Sequence, residues 1–313
     1  MTVQTTAGRT TWAQTPERGN MFMMRVMTWL SLRLGRRAAR SVLHLIAAYF
    51  VVFAPTSRRA SSDYLRRALG RAPRWREIYR HFFTFAATIH DRIYLLNRRF
   101  DLFELEVHGE TTLFEVIRKH NGVFLMGAHL GSFEIIHALG RENTDLHIAR
   151  VMYEENARNI NAMFAAINPA AVPDTIGLGH VDSMLRVQER LDEGGVVGVL
   201  ADRAHGESTL YPVTILGADA CLPSGPFRMA ALLRRPVMFM TGLYLGGNSY
   251  AIHFDPIADF SEIGHDERNS AVETAMVRYA QVLDQYCRKA PYNWFNFFNF
   301  WQPATPSTAA RSQ

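Results

Sequence analysis

Cysteine is scarce in this chain, which holds only Cys221 and Cys287 among 313 residues. The two lie far apart and form no C-x-x-C spacing, so the sequence gives no sign of a thiolate zinc site or a disulfide framework. Low-complexity tracts and fixed-period repeats are also missing, which excludes disordered, fibrous and solenoid classes. With 48% hydrophobic residues, the sequence predicts a globular protein with a sizeable core. The scarcity of cysteine favours a reducing compartment.

Lysine is missing from residues 1–100, where 18 arginines accompany only four acidic residues. This segment carries a net charge of +14 and the rest of the chain −9, which together give the formal +5. A basic segment of this kind suits either nucleic acid or an anionic membrane surface. The spacers between the arginines are apolar, as in MFMMRVMTWLSLRL and VLHLIAAYFVVFA. This aliphatic bulk favours the membrane surface over nucleic acid.

A long uninterrupted apolar run is missing as well. Arg25 and Arg33 break the first apolar stretch, and the second, at 42–54, has only 13 residues. A simple spanning helix needs ~20 such residues. Because arginines at helix ends can reach lipid headgroups, we expect interfacial helices or a shallow hairpin on the cytoplasmic face. An ordinary buried helix pair is the alternative, and the polar residues 1–20 disfavour a signal peptide.

The sequence pattern changes near residue 121 from arginine-rich helical segments to short apolar runs that alternate with amphipathic segments. This alternation is typical of an α/β sheet with crossover helices. The predicted strands cover 122–127, 146–152, 196–201 and 237–245, and the predicted helices cover 132–139, 157–166, 181–193, 225–233 and 270–288. We therefore predict an α/β fold with a mixed central sheet flanked by helices and an N-terminal helical membrane-associating extension.

His129 directly follows an apolar strand in the segment NGVFLMGAHLGSFEIIHALG. Active sites of α/β proteins lie at the carboxyl ends of strands, and Gly127 and Gly131 leave room for a substrate near the backbone. Glu134, one turn into the predicted helix, can fold back to the imidazole, fix its tautomer and stabilise the imidazolium formed when His129 takes a proton from a hydroxyl. The substrate then supplies the nucleophile, so this chemistry needs no catalytic serine.

Spacing alone leaves two other interpretations of these residues open. His129 can be satisfied locally at the strand end, with Glu134 solvated on a helix. Alternatively, His129, Glu134 and His137 can bind a metal ion, although the spacing lacks the i, i+4 histidine pair that places two ligands on one helix face.

The segment GAHLGSFE resembles the His-x4-Glu catalytic block of the lipid A biosynthesis acyltransferase family, the late acyltransferases of the lysophospholipid acyltransferase superfamily. Other segments resemble further blocks of that family in the same order: LHIARVMYEEN, VVGVLADRAHGESTLYPVTILGADACLPSGPFRMA and RKAPYNWFNFFNFW. WLSLRLGRRAAR resembles the family's membrane-proximal start. The resemblance covers most of residues 20–302 and implies a glycerolipid acyltransferase-like fold.

Four segments follow from this resemblance. They are a polar N-terminal tail at 1–20, an arginine-rich helical membrane-associating region at 21–100, a catalytic acyltransferase domain at 101–302 and a flexible tail at 303–313.

The resemblance also implies roles for single residues. His129 is the base that deprotonates the acceptor hydroxyl, and Glu134 is its orienting partner. Arg150 binds an anionic or carbonyl oxygen near the thioester, where a fixed cation stabilises the developing oxyanion; a cation satisfied at a strand end is the alternative. Asp202 orders the active-site loop or is simply solvated at the surface. Arg203 stands where the family has glutamine, so its role is open.

Ser224 and Gly225 resemble the turn that opens the next helix in the family. Free backbone amides there could hold a phosphate or a carbonyl group, although an ordinary N-cap explains Ser224 equally well.

The resemblance implies transfer of a fatty acyl group from an acyl carrier protein or CoA thioester to a hydroxyl of a membrane lipid, with no cofactor and no metal. The partners are then the acyl carrier protein, the lipid and the anionic inner membrane of a bacterium, and not nucleic acid. The arginines of residues 58–99, among them Arg66 and Arg67, offer a docking surface for the acidic carrier.

The acceptor can be lipid A or another glycolipid or polyene lipid, because the segment between Asp202 and Pro223 departs from the sequence usual in the family. Two other functions remain open: a thioesterase or lipid hydrolase in which His129 activates water, and a non-catalytic membrane-binding protein.

Overall fold

The computed structural model describes residues 18–136, 148–168, 174–179, 182–204 and 208–301. The helices are α1 (Arg18–Phe53), α2 (Pro55–Leu69), α3 (Trp75–Leu96), α4 (Glu110–His120), α5 (Glu154–Ile167), α6 (Ser183–Asp192), α7 (Gly225–Leu232) and α8 (Arg268–Lys289). The strands are β1 (Glu104–His108), β2 (Val123–Gly127), β3 (Ile148–Tyr153), β4 (Thr175–Leu178), β5 (Val196–Leu200), β6 (Leu210–Ile215), β7 (Ala218–Pro223), β8 (Val237–Gly246) and β9 (Ser249–Ala258). The predicted tail at 303–313, and residues 1–17 of the predicted tail at 1–20, lie outside the described residues.

The central sheet has seven strands in the order β1-β9-β8-β2-β5-β3-β4. Five neighbouring strands, from β8 to β4, run parallel. β9 is antiparallel to β8 through a hairpin, and β1 pairs parallel with β9 at the sheet edge. β6 and β7 form a separate antiparallel hairpin. The predicted mixed α/β sheet is therefore confirmed, and most of its strands are parallel.

Helices cover both faces of the sheet, so the central strands are buried on both sides. Every residue of β2 is buried, as is the VVGV run of β5, which explains their continuous apolar sequences. One hydrophobic cluster lies on each face, and each includes side chains of the N-terminal helices: Tyr64 and Leu65 on one face and Leu43 and Ala87 on the other. The N-terminal helices thus share the core of the sheet.

Asp91 joins the N-terminal helices to the sheet. Its carboxylate, on α3, has no solvent exposure and receives two hydrogen bonds of 2.7 Å from Arg36 of α1. Tyr250 of β9 donates a third hydrogen bond of 2.9 Å. The guanidinium of Arg40 lies 3.8 Å away. Three elements therefore meet at one buried carboxylate.

The outer side of α1 carries large exposed apolar side chains. Leu45 is 74% exposed and Phe53 is 68% exposed. α1 is kinked at Gly35, where φ is 81°. Within the described part of the chain no single helix is long and apolar enough to cross a membrane; one helix pair, Ser31–Phe53 with Pro55–Leu69, meets that requirement jointly across a bend of 96°.

The four predicted strands all occur, with ends within two residues of the prediction. Predicted helices at 157–166, 181–193, 225–233 and 270–288 correspond to α5, α6, α7 and α8. The predicted helix at 132–139 is a single short turn over 134–136, and residues 137–139 lie outside the described residues. The sequence patterns did not reveal β1, β4, β9 or the β6–β7 hairpin.

Candidate active site

Two neighbouring parallel strands, β2 and β5, bring His129 and Asp202 together. Gly127 of β2 pairs in register with Leu200 of β5. Both strands end there, and each chemically active side chain follows two residues later. Because parallel strands in register end at the same edge of a sheet, a histidine and a carboxylate at matching positions meet at that edge.

The Asp202 carboxylate holds both the ring and the backbone of His129. Its Oδ1 lies 2.8 Å from His129 Nδ1, and its Oδ2 accepts a hydrogen bond of 3.0 Å from the His129 backbone N–H. Trp294 Nε1 donates a further hydrogen bond of 3.0 Å to Oδ2. Asp202 is 1% exposed, whereas the His129 side chain is 32% exposed. The imidazole therefore has one face in the protein and one toward solvent.

The charge of Asp202 fixes the tautomer of His129. Burial alone raises the pKa of Asp202. The charge interaction and hydrogen bond with His129, the charge of Arg203 and the hydrogen bond from Trp294 together lower it by more. The pKa of Asp202 is therefore well below its usual range. An ionised carboxylate only accepts hydrogen bonds, so Nδ1 of His129 carries the proton. In the neutral imidazole, Nε2 then keeps its lone pair, which is the form a general base requires.

Glu134 has different partners from the one that its spacing suggested. Its carboxylate lies 3.2 Å from Arg92 Nε of α3 and 3.8 Å from an Arg150 terminal nitrogen of β3. Ser132 donates a hydrogen bond of 3.3 Å to its other oxygen. The expected contact between Glu134 and the imidazole is therefore replaced by a contact with Asp202, because the sheet register places Asp202 beside Nδ1 while the turn directs Glu134 to the arginines.

Arg150 is a buried cation. Its guanidinium lies 4.9 Å from the ring centroid of Phe164 and 5.9 Å from that of Phe133. Burial lowers the pKa of Arg150 to about 10, which Glu134 partly offsets. The side chain is still charged at neutral pH.

Arg203 follows Asp202 but turns to the carboxyl-terminal aromatic segment. One terminal nitrogen donates a hydrogen bond of 2.7 Å to the Phe295 carbonyl, and the guanidinium lies 5.0 Å from the Phe298 ring centroid. The Phe295 backbone N–H in turn donates a hydrogen bond of 2.8 Å to the His129 carbonyl. Arg203 therefore supports the backbone on which His129 stands.

Ser224 and Gly225 stand at the start of α7, as expected. Ser224 makes no side-chain cap; its hydroxyl and its backbone N–H both donate to the Thr209 carbonyl, at 3.1 and 2.9 Å. Open space surrounds the position of a Cβ at Gly225. Within the described residues, these contacts connect Ser224 to the β6–β7 hairpin and not to the His129–Asp202 pair.

Gly131 is needed for chain packing. Its φ is +71°, and a Cβ there would overlap the Gly242 carbonyl oxygen of β8. The predicted room for substrate at this glycine is thus occupied by a neighbouring strand. Among the described residues no group of three or more His, Cys, Asp or Glu side chains is arranged to hold a metal ion. His137, the third residue of the alternative metal site, lies outside the described residues.

Sequence reasoning assigned no role to Arg92 or Trp294, which contact Glu134 and Asp202. Arg92 is one of many arginines in its segment, so nothing in the sequence distinguishes it. Its pairing with Glu134 depends on how α3 packs. Trp294 carried a signal, because it lies in the dense aromatic segment PYNWFNFFNFW, but no spacing rule connects that segment with a strand end near residue 200.

A family model described as bacterial lipid A biosynthesis acyltransferase matches residues 7–303, a range that includes every helix and strand described above. None of the curated proteins searched matches the chain.

Proposed function

The chain belongs to the bacterial lipid A biosynthesis acyltransferase family, and from this membership we propose that it moves a fatty acyl group from a thioester to a hydroxyl of a membrane lipid with His129 as the general base. The hydrogen bond of 2.8 Å between His129 Nδ1 and the buried Asp202 is the observation that carries the proposal. It presents Nε2 of a partly exposed imidazole as a proton acceptor at the carboxyl edge of the sheet.

In the proposed reaction, Nε2 of His129 removes the proton of the acceptor hydroxyl as its oxygen attacks the thioester carbonyl. The resulting imidazolium is stabilised by the Asp202 carboxylate. When the tetrahedral intermediate collapses, the carbon–sulfur bond breaks and the imidazolium returns the proton to the thiolate. The products are an O-acyl ester and a free thiol, and the base is regenerated.

Glu134 has a different role in this proposal. It holds Arg92 and Arg150 in place from the turn that follows His129, at 3.2 and 3.8 Å. A cation fixed in this way can stabilise the negative charge that develops on the thioester carbonyl oxygen. We therefore assign Glu134 to positioning of the arginines, and Asp202 to orientation of His129.

We further propose acyl carrier protein as the donor and the anionic cytoplasmic face of the bacterial inner membrane as the place of reaction. Exposed arginines on α2 and around the start of α3, including Arg59, Arg66 and Arg76, support an acidic carrier. The exposed apolar side chains of α1 support the membrane surface, because such side chains are rare in large patches on soluble monomers. No cofactor enters this mechanism.

The test is transfer of a radiolabelled acyl group into the lipid extract of a host that lacks the activity. The donors are acyl carrier protein and CoA carrying dodecanoyl, tetradecanoyl or hexadecanoyl chains. We expect labelled lipid with the wild-type protein and none with His129→Ala. His265→Ala removes a histidine that is 87% exposed, and we expect it to retain full activity.

The other functions give different results in the same experiment. Label recovered only as free fatty acid would assign the protein as a hydrolase in which His129 activates water. Equal labelling with wild type and His129→Ala would remove His129 from the mechanism, and no labelling from any donor would favour a non-catalytic membrane-binding protein.

A further inference from the structure

The carboxyl-terminal aromatic segment lies across the loop that carries His129. Trp294 forms an antiparallel bridge with Leu130, and Phe295 donates its backbone N–H to the His129 carbonyl at 2.8 Å. Gly131 donates its backbone N–H to the Asn293 carbonyl at 2.9 Å. Residues far apart in the sequence are therefore joined at the strand edge where the chemistry is proposed.

The Trp294 side chain also contacts the Asp202 carboxylate. Its Nε1 donates to Asp202 Oδ2 at 3.0 Å, and the same oxygen accepts the His129 backbone N–H at 3.0 Å. Oδ1 is left for the imidazole, at 2.8 Å from Nδ1. Trp294 is 1% exposed and Asp202 is also 1% exposed, so no solvent molecule at the surface substitutes for the indole N–H.

We propose that Trp294 is a positioning residue, whose indole N–H fixes the Asp202 carboxylate that in turn orients His129. The inference rests on the proposed function, because it assigns a second supporting group to the same base. Each carboxylate oxygen has its own donors, which prevents rotation of the carboxylate and keeps Oδ1 directed at Nδ1. A hydrogen bond to Oδ2 also draws negative charge away from Oδ1.

The Trp294 backbone is held in turn by a buried histidine. His81 Nε2 donates to the Trp294 carbonyl at 2.8 Å, and Ser61 donates its hydroxyl to His81 Nδ1 at 2.8 Å. Burial lowers the pKa of His81 to about 4, against a smaller opposite effect of the Trp294 carbonyl, so His81 is neutral near pH 7. Edge contacts with Tyr64 and Phe300 enclose the indole ring. The position of the indole N–H is therefore fixed by several elements.

Among the described residues, the other ionisable groups that interact with Asp202 do not titrate near neutral pH. Burial raises the pKa of Tyr279 and of Cys287 well above their usual ranges, so both are neutral. Burial lowers the pKa of Arg203, which Asp202 partly offsets, and the guanidinium remains a cation. Of these described groups, the His129–Asp202 pair is the one expected to respond in the pH profile when Trp294 is substituted.

The test compares Trp294→Phe with Trp301→Phe. Trp301 belongs to the same aromatic cluster, and its Nε1 donates to the Ile215 carbonyl at 3.2 Å, away from Asp202. Both substitutions remove one indole N–H and keep an aromatic ring. In acyl transfer from dodecanoyl acyl carrier protein to host lipid, we expect Trp294→Phe to lower kcat/KM about 10-fold or more, the size of a lost hydrogen bond to a charged group. Trp301→Phe should leave kcat/KM nearly unchanged.

The pH profile separates positioning from a loss of stability. Without the indole N–H, more negative charge stays on Oδ1 and stabilises the imidazolium. We therefore expect the acid limb of kcat/KM to move to higher pH in Trp294→Phe and to stay in place in Trp301→Phe. If both variants give the wild-type limb, the proposal is overturned.

A second readout needs no substrate. In protein labelled with ¹⁵N-histidine, the Nδ1 proton held by Asp202 gives a downfield resonance, which His129→Ala assigns by its loss. We expect Trp294→Phe to shift this resonance and Trp301→Phe to leave it. If Trp294→Phe shifts this resonance but the wild-type protein shows no acyl transfer, the contact of Trp294 with Asp202 stands and the proposed function is rejected. If the wild-type protein is active but Trp294→Phe leaves the resonance in place, the positioning role alone is rejected.

If Trp294→Phe does not fold, benzothienylalanine at position 294 replaces it, since this residue keeps the bicyclic ring and exchanges N–H for sulfur. The same two shifts are expected, and their absence in a folded protein contradicts the proposal.

Discussion

The His129 imidazole and the Asp202 carboxylate illustrate how two single residues acquire a function from the strands that precede them. Neither side chain is unusual in its own segment. Their contact of 2.8 Å arises because β2 and β5 end in register and both side chains follow at the second position. The buried carboxylate then determines which ring nitrogen keeps its lone pair, which is the property that proton abstraction requires.

Replacing Asp202 by Asn is expected to leave the fold in place and to reduce kcat by about 10⁴-fold, the loss seen when the corresponding aspartate of a serine protease triad becomes an amide. The amide can turn a hydrogen-bond donor toward Nδ1 and so select the wrong tautomer. Steady-state acyl transfer measures the loss, and Asp219→Asn on the exposed side of β7 is the matched control. A fall of less than 10-fold would show that His129 does not depend on this carboxylate.

Glu134→Gln is expected to remove the charge that compensates Arg92 and Arg150. Breaking a buried ion pair by removing one partner typically costs about 3–5 kcal/mol in the free energy of unfolding. Urea denaturation measures this cost, and the rate of acyl transfer should fall as Arg150 loses its fixed position. The acid limb of the pH profile should not move, because Glu134 has no contact with the imidazole. A shifted limb would instead support the sequence-based pairing of Glu134 with His129.

The elements are connected by buried polar contacts as well as by apolar packing. α1, α3 and β9 meet at Asp91, where two hydrogen bonds from Arg36 and one from Tyr250 satisfy the carboxylate. Burial alone raises the pKa of Asp91, but interactions with His90, Arg36 and Tyr250 together lower it by more. The pKa of Asp91 is therefore below its usual value. The buried Asp91 carboxylate thereby connects α1, through Arg36, to the sheet, through Tyr250.

Asp91→Asn is expected to destabilise the protein at pH 7 by about 3–5 kcal/mol, since Arg36 is left with a neutral partner in a buried position. A lowered pKa gives stability that is present above the unfolded value of about 3.9 and is lost as the pH falls below it. The difference between wild type and variant in urea unfolding should therefore shrink as the pH falls below about 3.9. Asp63→Asn, at the more exposed pair with Arg67, should cost less than about 1 kcal/mol at any pH.

The predictability of each element from the sequence follows from how it is buried. β2, β5 and β8 are buried on both faces, and their continuous apolar runs were found. β1 is an edge strand with exposed alternate residues, and its sequence ELEVH carries too little apolar character to be recognised. His129 was found from its position after a strand, but its partner was not, because the order of strands in a sheet is a long-range property that local patterns do not contain.

At the scale of the whole molecule, charge and apolar surface are concentrated in the same third of the chain. The arginine excess of residues 1–100 accompanies the exposed apolar side of α1. Basic groups beside exposed apolar side chains are the combination that binds anionic lipid surfaces. The helices that carry these groups also pack on the sheet, so they connect the exposed apolar side of α1 with the sheet that carries the candidate active site.

Phe53→Ser is expected to weaken sedimentation of the protein with vesicles of anionic phospholipid, because this side chain is 68% exposed at the end of α1. Leu185→Ser is the matched control, since Leu185 is 60% exposed on α6. Equal binding of the two variants would contradict a membrane-facing α1. Binding that does not fall with added salt would contradict the contribution of the arginines.

Arg59→Glu together with Arg66→Glu is expected to raise KM for the acyl carrier protein several-fold while kcat stays near the wild-type value, because steering by surface charge acts on association. Arg67 is kept, since its guanidinium lies 4.4 Å from the Trp301 ring centroid and its loss would disturb packing. Arg186→Glu together with Arg278→Glu, on the exposed sides of α6 and α8, controls for the change in net charge. An unchanged KM would remove α2 as the docking surface.

The hydrogen bonds that Asn293, Trp294 and Phe295 make with the loop and carboxylate around His129 also imply an order in which the site is assembled. The ribosome makes the arginine-rich helices before these aromatic residues. A nascent chain can therefore present its apolar helix to a bilayer well before the groups that hold His129 and Asp202 exist. In the proposed function, His129 would then be held ready for a thioester only after the helices with the exposed apolar side chains have been made.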